Sequence, residues 1–437
     1  MDRPVSLGRR AAGAAVSAAV LATLLGACGS PEGGNPTAAP CRPSEPTCVV
    51  VGIGEPIFLG ALLSKTEASG PDVRAGMGLA IDYLDGQFDQ QAGSLAGHPV
   101  VVVDQSEDCS AESGRAGAKR LLAERRVIGA IGTTCSSSAL GAADIEFTKR
   151  RVPLLSASNT APALTDPANH QRYYFRVTFN DRIQSAVDAE FALSRGWTKV
   201  VAVSEETNGY SVQLAKAFAS AVRRKGGEVA QFSIESAADI PSVAARAAAV
   251  GASAAFVPMF DPLCAATIAG LRSADGMADL PVIGSDACLV PETLVTLGDR
   301  ATRLFASGPD LSALEVNPFY ASVFLDGYRR LVGADPKSAF HPAAFDATNI
   351  LMAAIRRAAV VLPGGAVAID RERVREVILR IAEYPGISGT ITCDASGECV
   401  PRARIGVYEA PGWPVGGRRP ALVFSAERTL AELANEG

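Results

Sequence analysis

The sequence predicts an α/β protein whose parallel sheets are covered by helices and divided between two lobes. Two observations carry this. Short apolar runs alternate with segments whose apolar residues recur at helical spacing, which is how strand–helix–strand units read. The chain also has 437 residues, too many for one compact core, so two lobes plus tails is the expected division.

The first strand is the run Ile57–Leu63. Pro71–Asp85 follows, with Val73, Met77, Ile81 and Leu84 on one helical face and proline near its start. Next come the strand Val100–Asp104, a helix over 111–123, the strand Val127–Gly132, a helix over 138–150 and the short strand Pro153–Ser156. The alternation restarts at Lys199–Ser204 and a helix over 210–225. Val229–Ser233, Ala254–Pro258, Pro281–Gly284 and Arg303–Ser307 continue as strands, with helices over 242–250 and 264–275 between them. Helical patterns at 318–331, 343–359 and 371–382 lead to a hairpin made of Gly389–Cys393, the turn Asp394-Ala395-Ser396-Gly397, and Cys399 onward. Residues 411–437 are rich in Pro and Gly and then weakly helical, and the sequence assigns them no role.

At the N-terminus Arg3, Arg9 and Arg10 precede an uncharged run from Ala11 to Ala27. A positive segment followed by an apolar one reads as a secretory signal peptide, and this run is short for a membrane span. It ends in Leu25-Gly26-Ala27-Cys28, which resembles the bacterial lipobox. The resemblance implies removal of residues 1–27 and a diacylglycerol on the Cys28 thiol. Residues 28–56, dominated by Pro, Gly, Ser and Thr, then read as a lipidated flexible tether holding the fold to a membrane outside the cytoplasm. Eight cysteines remain, an even number that suits disulfides in an oxidising compartment. They fall in order into close couples: Cys41 with Cys48, Cys109 with Cys135, Cys264 with Cys288, and Cys393 with Cys399.

Other function classes fit poorly. The net charge is −5 with no basic stripe, which argues against nucleic acid as a partner. There is no CxxC, and His98, His170 and His341 are scattered, so neither a metal site nor a cofactor is expected. The chain has no GxSxG elbow, GxxxxGK phosphate loop or HExxH pair. Gly52-Ile53-Gly54 lacks a third glycine and precedes the first strand. Binding groups are present, activated catalytic groups are not, and an enzyme is not expected.

The binding groups follow the strands. Ser136-Ser137-Ser138 stands at a turn from strand into helix, where hydroxyls and backbone N–H groups suit a carboxylate and equally suit a helix cap. Ser158 and Thr160 follow the next strand. The segments Asp108-Cys109, Gly132-Thr133-Thr134-Cys135-Ser136-Ser137-Ser138 and Leu155-Ser156-Ala157-Ser158-Asn159-Thr160-Ala161-Pro162-Ala163-Leu164-Thr165 resemble the leucine/isoleucine/valine-binding proteins, which are type I periplasmic binding proteins. The likeness continues at Gly209-Tyr210, the turn Pro258–Pro262, Gly284-Ser285-Asp286 and Gly389-Thr390-Ile391-Thr392-Cys393-Asp394, covering residues 57–410 in unbroken order.

The resemblance implies two doubly wound parallel-sheet lobes joined by a three-strand hinge near Thr178, Gly308 and Ile387. Lobe 1 is then 57–178 plus 309–386, lobe 2 is 179–308 plus 387–410, and 411–437 is an extension. It implies a monomeric substrate-binding lipoprotein that closes on an amino-acid-like ligand and docks on the permease of an ABC importer. A ligand-sensing receptor of the same fold is the alternative. By the same resemblance Ser136, Ser158 and Thr160 take the ligand carboxylate and Asp286 its ammonium, while Tyr210 lies on the ligand from the second lobe. Phe260 stands where the family often has Tyr, keeping an aromatic wall without its hydroxyl. Cys109–Cys135 matches a disulfide of some members. One loop departs from the family. Ser64-Lys65-Thr66-Glu67-Ala68-Ser69-Gly70 replaces a Leu-Thr-Gly-like turn, and if Lys65 or Glu67 faces the cleft, the pocket for the ligand's side chain is polar.

Overall fold

The structure, a computed structural model, describes residues 39–91, 93–410 and 421–435. The signal peptide, Cys28 and the beginning of the tether lie outside the described residues. No helix among the described residues is long and apolar enough to cross a membrane.

Lobe 1 is built on a six-stranded sheet in the spatial order Ser94–Leu95, His98–Glu107, Ile57–Ser64, Val127–Gly132, Leu154–Ser156 and Tyr174–Arg176. All pairs but the first are parallel. Its two central strands, IFLGALLS and VIGAIG, are almost wholly buried, as parallel strands covered by helices on both faces must be. Helices Ser69–Asp82 and His341–Ala358 pack closely on one another. A Cβ on Gly76 would stand 2.5 Å from the His341 carbonyl oxygen, so glycine is what lets them approach.

Lobe 2 is a seven-stranded sheet ordered Ala421–Thr429, Arg402–Glu409, Leu304–Pro309, Val282–Gly284, Ala254–Val257, Lys199–Glu205 and Glu228–Ile234. The last five are parallel, and Arg402–Glu409 runs antiparallel to both of its neighbours. The two-lobed α/β architecture expected from the sequence is present.

Four details differ from the sequence reading. The tether does not extend to residue 56, because Cys48–Val51 is a strand paired with Val367–Asp370, burying Val49 and Val51 as its alternation allows. The third crossing between lobes is not at Ile387. Asp346, buried on helix His341–Ala358, accepts hydrogen bonds from the backbone N–H groups of Ile387 and Ser388 and from the Ser388 hydroxyl. This ties the hairpin Tyr384–Gly386/Gly389–Ile391 to lobe 1. Residues 397–399 then run along Tyr174–Arg176, and the chain joins the lobe 2 sheet at Arg402. The C-terminal segment is not a bare extension: Ala421–Thr429 forms the edge strand of that sheet. The helix expected over 138–150 is broken at Leu140 and Gly141, the latter at φ 63°, and resumes at Asp144–Arg150.

A helix that the sequence pattern does not announce, Asp181–Ser194, begins lobe 2 behind an Asn180 cap. At its start the lobes meet in a buried network. Arg176 is fully buried and pairs with Glu398, which also accepts hydrogen bonds from Thr165 and Asn180. One carboxylate thereby links the end of the lobe 1 sheet, the first crossing and the third.

Candidate functional site

Each candidate residue stands just beyond the carboxyl end of a parallel strand, where open α/β sheets place ligands. From lobe 1, Ser136 follows Val127–Gly132, and Ser158 and Thr160 follow Leu154–Ser156. From lobe 2, Tyr210 follows Lys199–Glu205, Phe260 follows Ala254–Val257, and Asp286 follows Val282–Gly284.

The two sets converge. Ser136, Ser158, Tyr210, Phe260 and Asp286 line one cavity between the lobes, together with Glu67, Ser69, Thr134, Ser338 and Phe340. Thr160 is not among the lining residues. It is buried behind them, and its backbone N–H donates to Ser136 Oγ at 3.1 Å, as does that of Ala161 at 3.2 Å. Ser136 Oγ thus accepts from two backbone N–H groups at the wall of the cavity. Ser158 differs, because its hydroxyl already donates to the Thr134 carbonyl at 2.8 Å. The helix after Ser136 is interrupted within a turn, so little helix dipole is directed at the cavity there.

Beneath this loop lies a residue the sequence reading missed. Glu107 accepts from the backbone N–H of Thr134 and from the Ser138 hydroxyl, at 3.1 and 2.6 Å. The disulfide Cys109–Cys135 crosses beside it. The other three disulfides join Cys41 to Cys48, Cys264 to Cys288 and Cys393 to Cys399. Cys264–Cys288 links the segments carrying Phe260 and Asp286.

The opposite wall is aromatic and acidic. Tyr210 and Phe260 pack with ring centroids 5.4 Å apart. The Tyr210 hydroxyl donates to Asp286 Oδ1 at 2.7 Å, and Gln184 Nε2 donates to the same oxygen at 3.0 Å. Gln184 Nε2 also donates to Ser307 Oγ, which donates to Asp188. Asp181 and Asp188 are fully buried on the same helix as Gln184. Burial raises the carboxyl pKa of all three aspartates; repulsion from Asp286 adds to the rise at Asp181 and Asp188. Burial and then the Asp286 charge hold the Tyr210 phenol well above its usual value. The pole opposite Ser136 is therefore lined and backed by carboxyl groups, with Asp286 facing the cavity.

The lobes are closed on one another. Ser137 Oγ donates to Asn208 Oδ1 at 2.9 Å, Ala163 N–H donates to Gln213 Oε1 at 3.0 Å, and Lys337 pairs with Glu292 at 2.7 Å. A Cβ on Gly209 would stand 3.1 Å from Leu140, so glycine at this helix start lets the lobes approach. In the departing loop, Glu67 lines the cavity, while Lys65 is exposed in an outer groove with Arg74 and Asp104.

Two α/β lobes with a polar cleft lined from both define a two-lobed solute-binding protein. Residues 57–402 match the family model described as periplasmic binding protein, and the chain belongs to that family, whose members are extracytoplasmic. Its fold is shared with a leucine-binding protein from Thermotoga maritima (22% identity, 86% of this chain and 99% of the other, TM-score 0.71). It is shared too with a branched-chain amino acid transporter substrate-binding protein from Streptococcus pneumoniae in complex with isoleucine (21%, 86% and 99%, 0.69). A third is a solute-binding protein of an ABC transporter from R. palustris in complex with benzoate (16%, 86% and 97%, 0.68). Comparison with curated proteins gives no match.

Proposed function

We propose that the chain is an exported lipoprotein, anchored through Cys28, that binds a small amino-acid-like zwitterion between its lobes and delivers it to an ABC importer. One observation carries the ligand class: the cleft has opposite poles. Ser136, its hydroxyl held by two backbone N–H groups, stands on lobe 1, and the carboxylate of Asp286 stands on lobe 2. An α-carboxylate and an α-ammonium span such poles, and the aromatic pair Tyr210 and Phe260 covers what lies between. Hinge bending at the three crossings opens and closes the cleft, and the closed face is what a permease recognises.

A thermal-shift screen of the exported chain against amino acids, amides and small carboxylates tests this reading. The expected result is stabilisation by one or more amino acids and none by the corresponding deaminated acids. A hit confined to purely anionic ligands and indifferent to Asp286→Ala would reject it. Uptake of the hit lost on deletion of the gene, with no change in gene expression, separates transport from sensing.

A further inference from the structure

The amino-acid reading leaves the side-chain end of the ligand open, and the cleft carries one more carboxylate that the zwitterion does not use. Glu67 lines the cavity from lobe 1 and is half-buried. The charges acting on it belong to Glu107 below it and to Asp261 and Glu205 from lobe 2. All are acidic, and they add to burial in raising its carboxyl pKa. Among the described residues lining the cavity none is Lys, Arg or His, and Lys65 is directed to the outer groove. Behind Asp286 the excess continues: Asp181 is fully buried on the same helix as Gln184, and burial followed by the Asp286 charge raises its carboxyl pKa.

A leucine-like ligand supplies one positive charge to this cleft and brings a carboxylate of its own. Its apolar side chain would lie against Glu67 and desolvate that carboxylate without compensation. A ligand with a side-chain carboxylate would meet like charge, which excludes it more strongly still. A second cation is what the arrangement leaves unanswered.

We propose that Glu67 is a specificity-determining residue and that the ligand is an amino acid with a cationic side chain, its second nitrogen held between Glu67 and the acidic wall. This rests on the amino-acid reading above. The α-carboxylate remains at Ser136 and the α-ammonium at Asp286, and Glu67 pairs with the side-chain ammonium or guanidinium in a hydrogen-bonded contact.

Isothermal titration of the exported chain and its Glu67→Gln variant with ornithine, arginine, leucine and glutamate tests it. In the parent, ornithine or arginine binds at least about tenfold more tightly than leucine, and glutamate gives no heat. Glu67→Gln reduces that preference to within about threefold while leucine binds no worse. Leucine binding more tightly than both basic amino acids, or a preference unchanged in the variant, overturns this inference and leaves the amino-acid reading standing. Silence toward every amino acid, with a response to an amide or an aromatic acid, overturns both.

Discussion

Asp286→Asn separates what this charge does for a ligand from what it does to the empty protein. Both donors to Asp286, the Tyr210 hydroxyl and Gln184 Nε2, reach the same oxygen, Oδ1. Asparagine keeps an acceptor there and nearly the same shape, so the substitution amounts to the loss of one negative charge. In the empty cleft that charge is unfavourable: burial raises its carboxyl pKa, and its field raises those of Asp181 and Asp188. A carboxyl whose folded pKa lies above its unfolded value destabilises the fold once it ionises; the penalty grows as pH rises between the two values and vanishes below the unfolded one. The ligand-free variant therefore melts higher than the parent at pH 7, and the gain shrinks on acidification toward the ordinary carboxylate range. With an ammonium in the cleft the sign reverses. Losing a buried partner charge costs about 2–5 kcal/mol, a weakening of roughly thirtyfold to several-thousandfold. Calorimetric melting of the ligand-free protein and titration with its tightest amino acid read both signs. A lower ligand-free Tm at pH 7, or an affinity loss under about threefold, would refute the reasoning.

Three further outcomes follow from the lobes and their crossings. Glu398→Gln leaves the fully buried Arg176 guanidinium without its counter-charge, and about 3–5 kcal/mol of stability is lost; an unchanged denaturation midpoint in urea would contradict the network. Burial pushes the Asp346 carboxyl up to about 6, so the parent loses stability as pH rises from the ordinary carboxylate range to about 6. In Asp346→Asn that slope is shallower, and it persists in part because Asp144 is pushed up to about 6 as well. Equal slopes in urea titrations of the two proteins would count against this assignment. Ser137→Ala removes one cross-cleft hydrogen bond, about 1 kcal/mol, so affinities fall about fivefold by equal factors for all ligands. Unequal losses in titration would mean that Ser137 touches the ligand.

The parts legible in the sequence are those where local pattern and tertiary demand agree. Ile57–Ser64 and Val127–Gly132 are buried on both faces, so their continuous apolar runs announce them. Asp181–Ser194 went unread for the opposite reason. Its buried face carries Asp181, Gln184, Ser185 and Asp188, polar residues at the spacing where an apolar stripe is expected, because that face borders the acidic wall instead of an apolar core. Glu107 was equally hidden. A glutamate ending a strand looks solvated until the fold brings the Thr134 N–H and the Ser138 hydroxyl to it. The edge strand Ala421–Thr429 alternates too weakly, with no residue fully buried, and only its partner Arg402–Glu409 identifies it.

The distribution of charge between the lobes makes closure depend on what lies in the cleft. Glu67 belongs to lobe 1, while the acids acting on it from across the gap, Asp261 and Glu205, belong to lobe 2. Bringing the lobes together with nothing between them therefore presses like charges into a drier space, against neutral hydrogen bonds such as Ser137 to Asn208 and Ala163 to Gln213 and the exposed ion pairs Lys337–Glu292 and Arg182–Asp166 among the described residues. Such an ion pair contributes at most about 1 kcal/mol. A cationic ligand turns that opposition into attraction on both sides of the gap. Because it meets both lobes only when they are shut, its differential affinity for the closed form is what moves the equilibrium. The carboxylates that would select the ligand at Glu67 and Asp286 would then also couple its arrival to closure of the lobes.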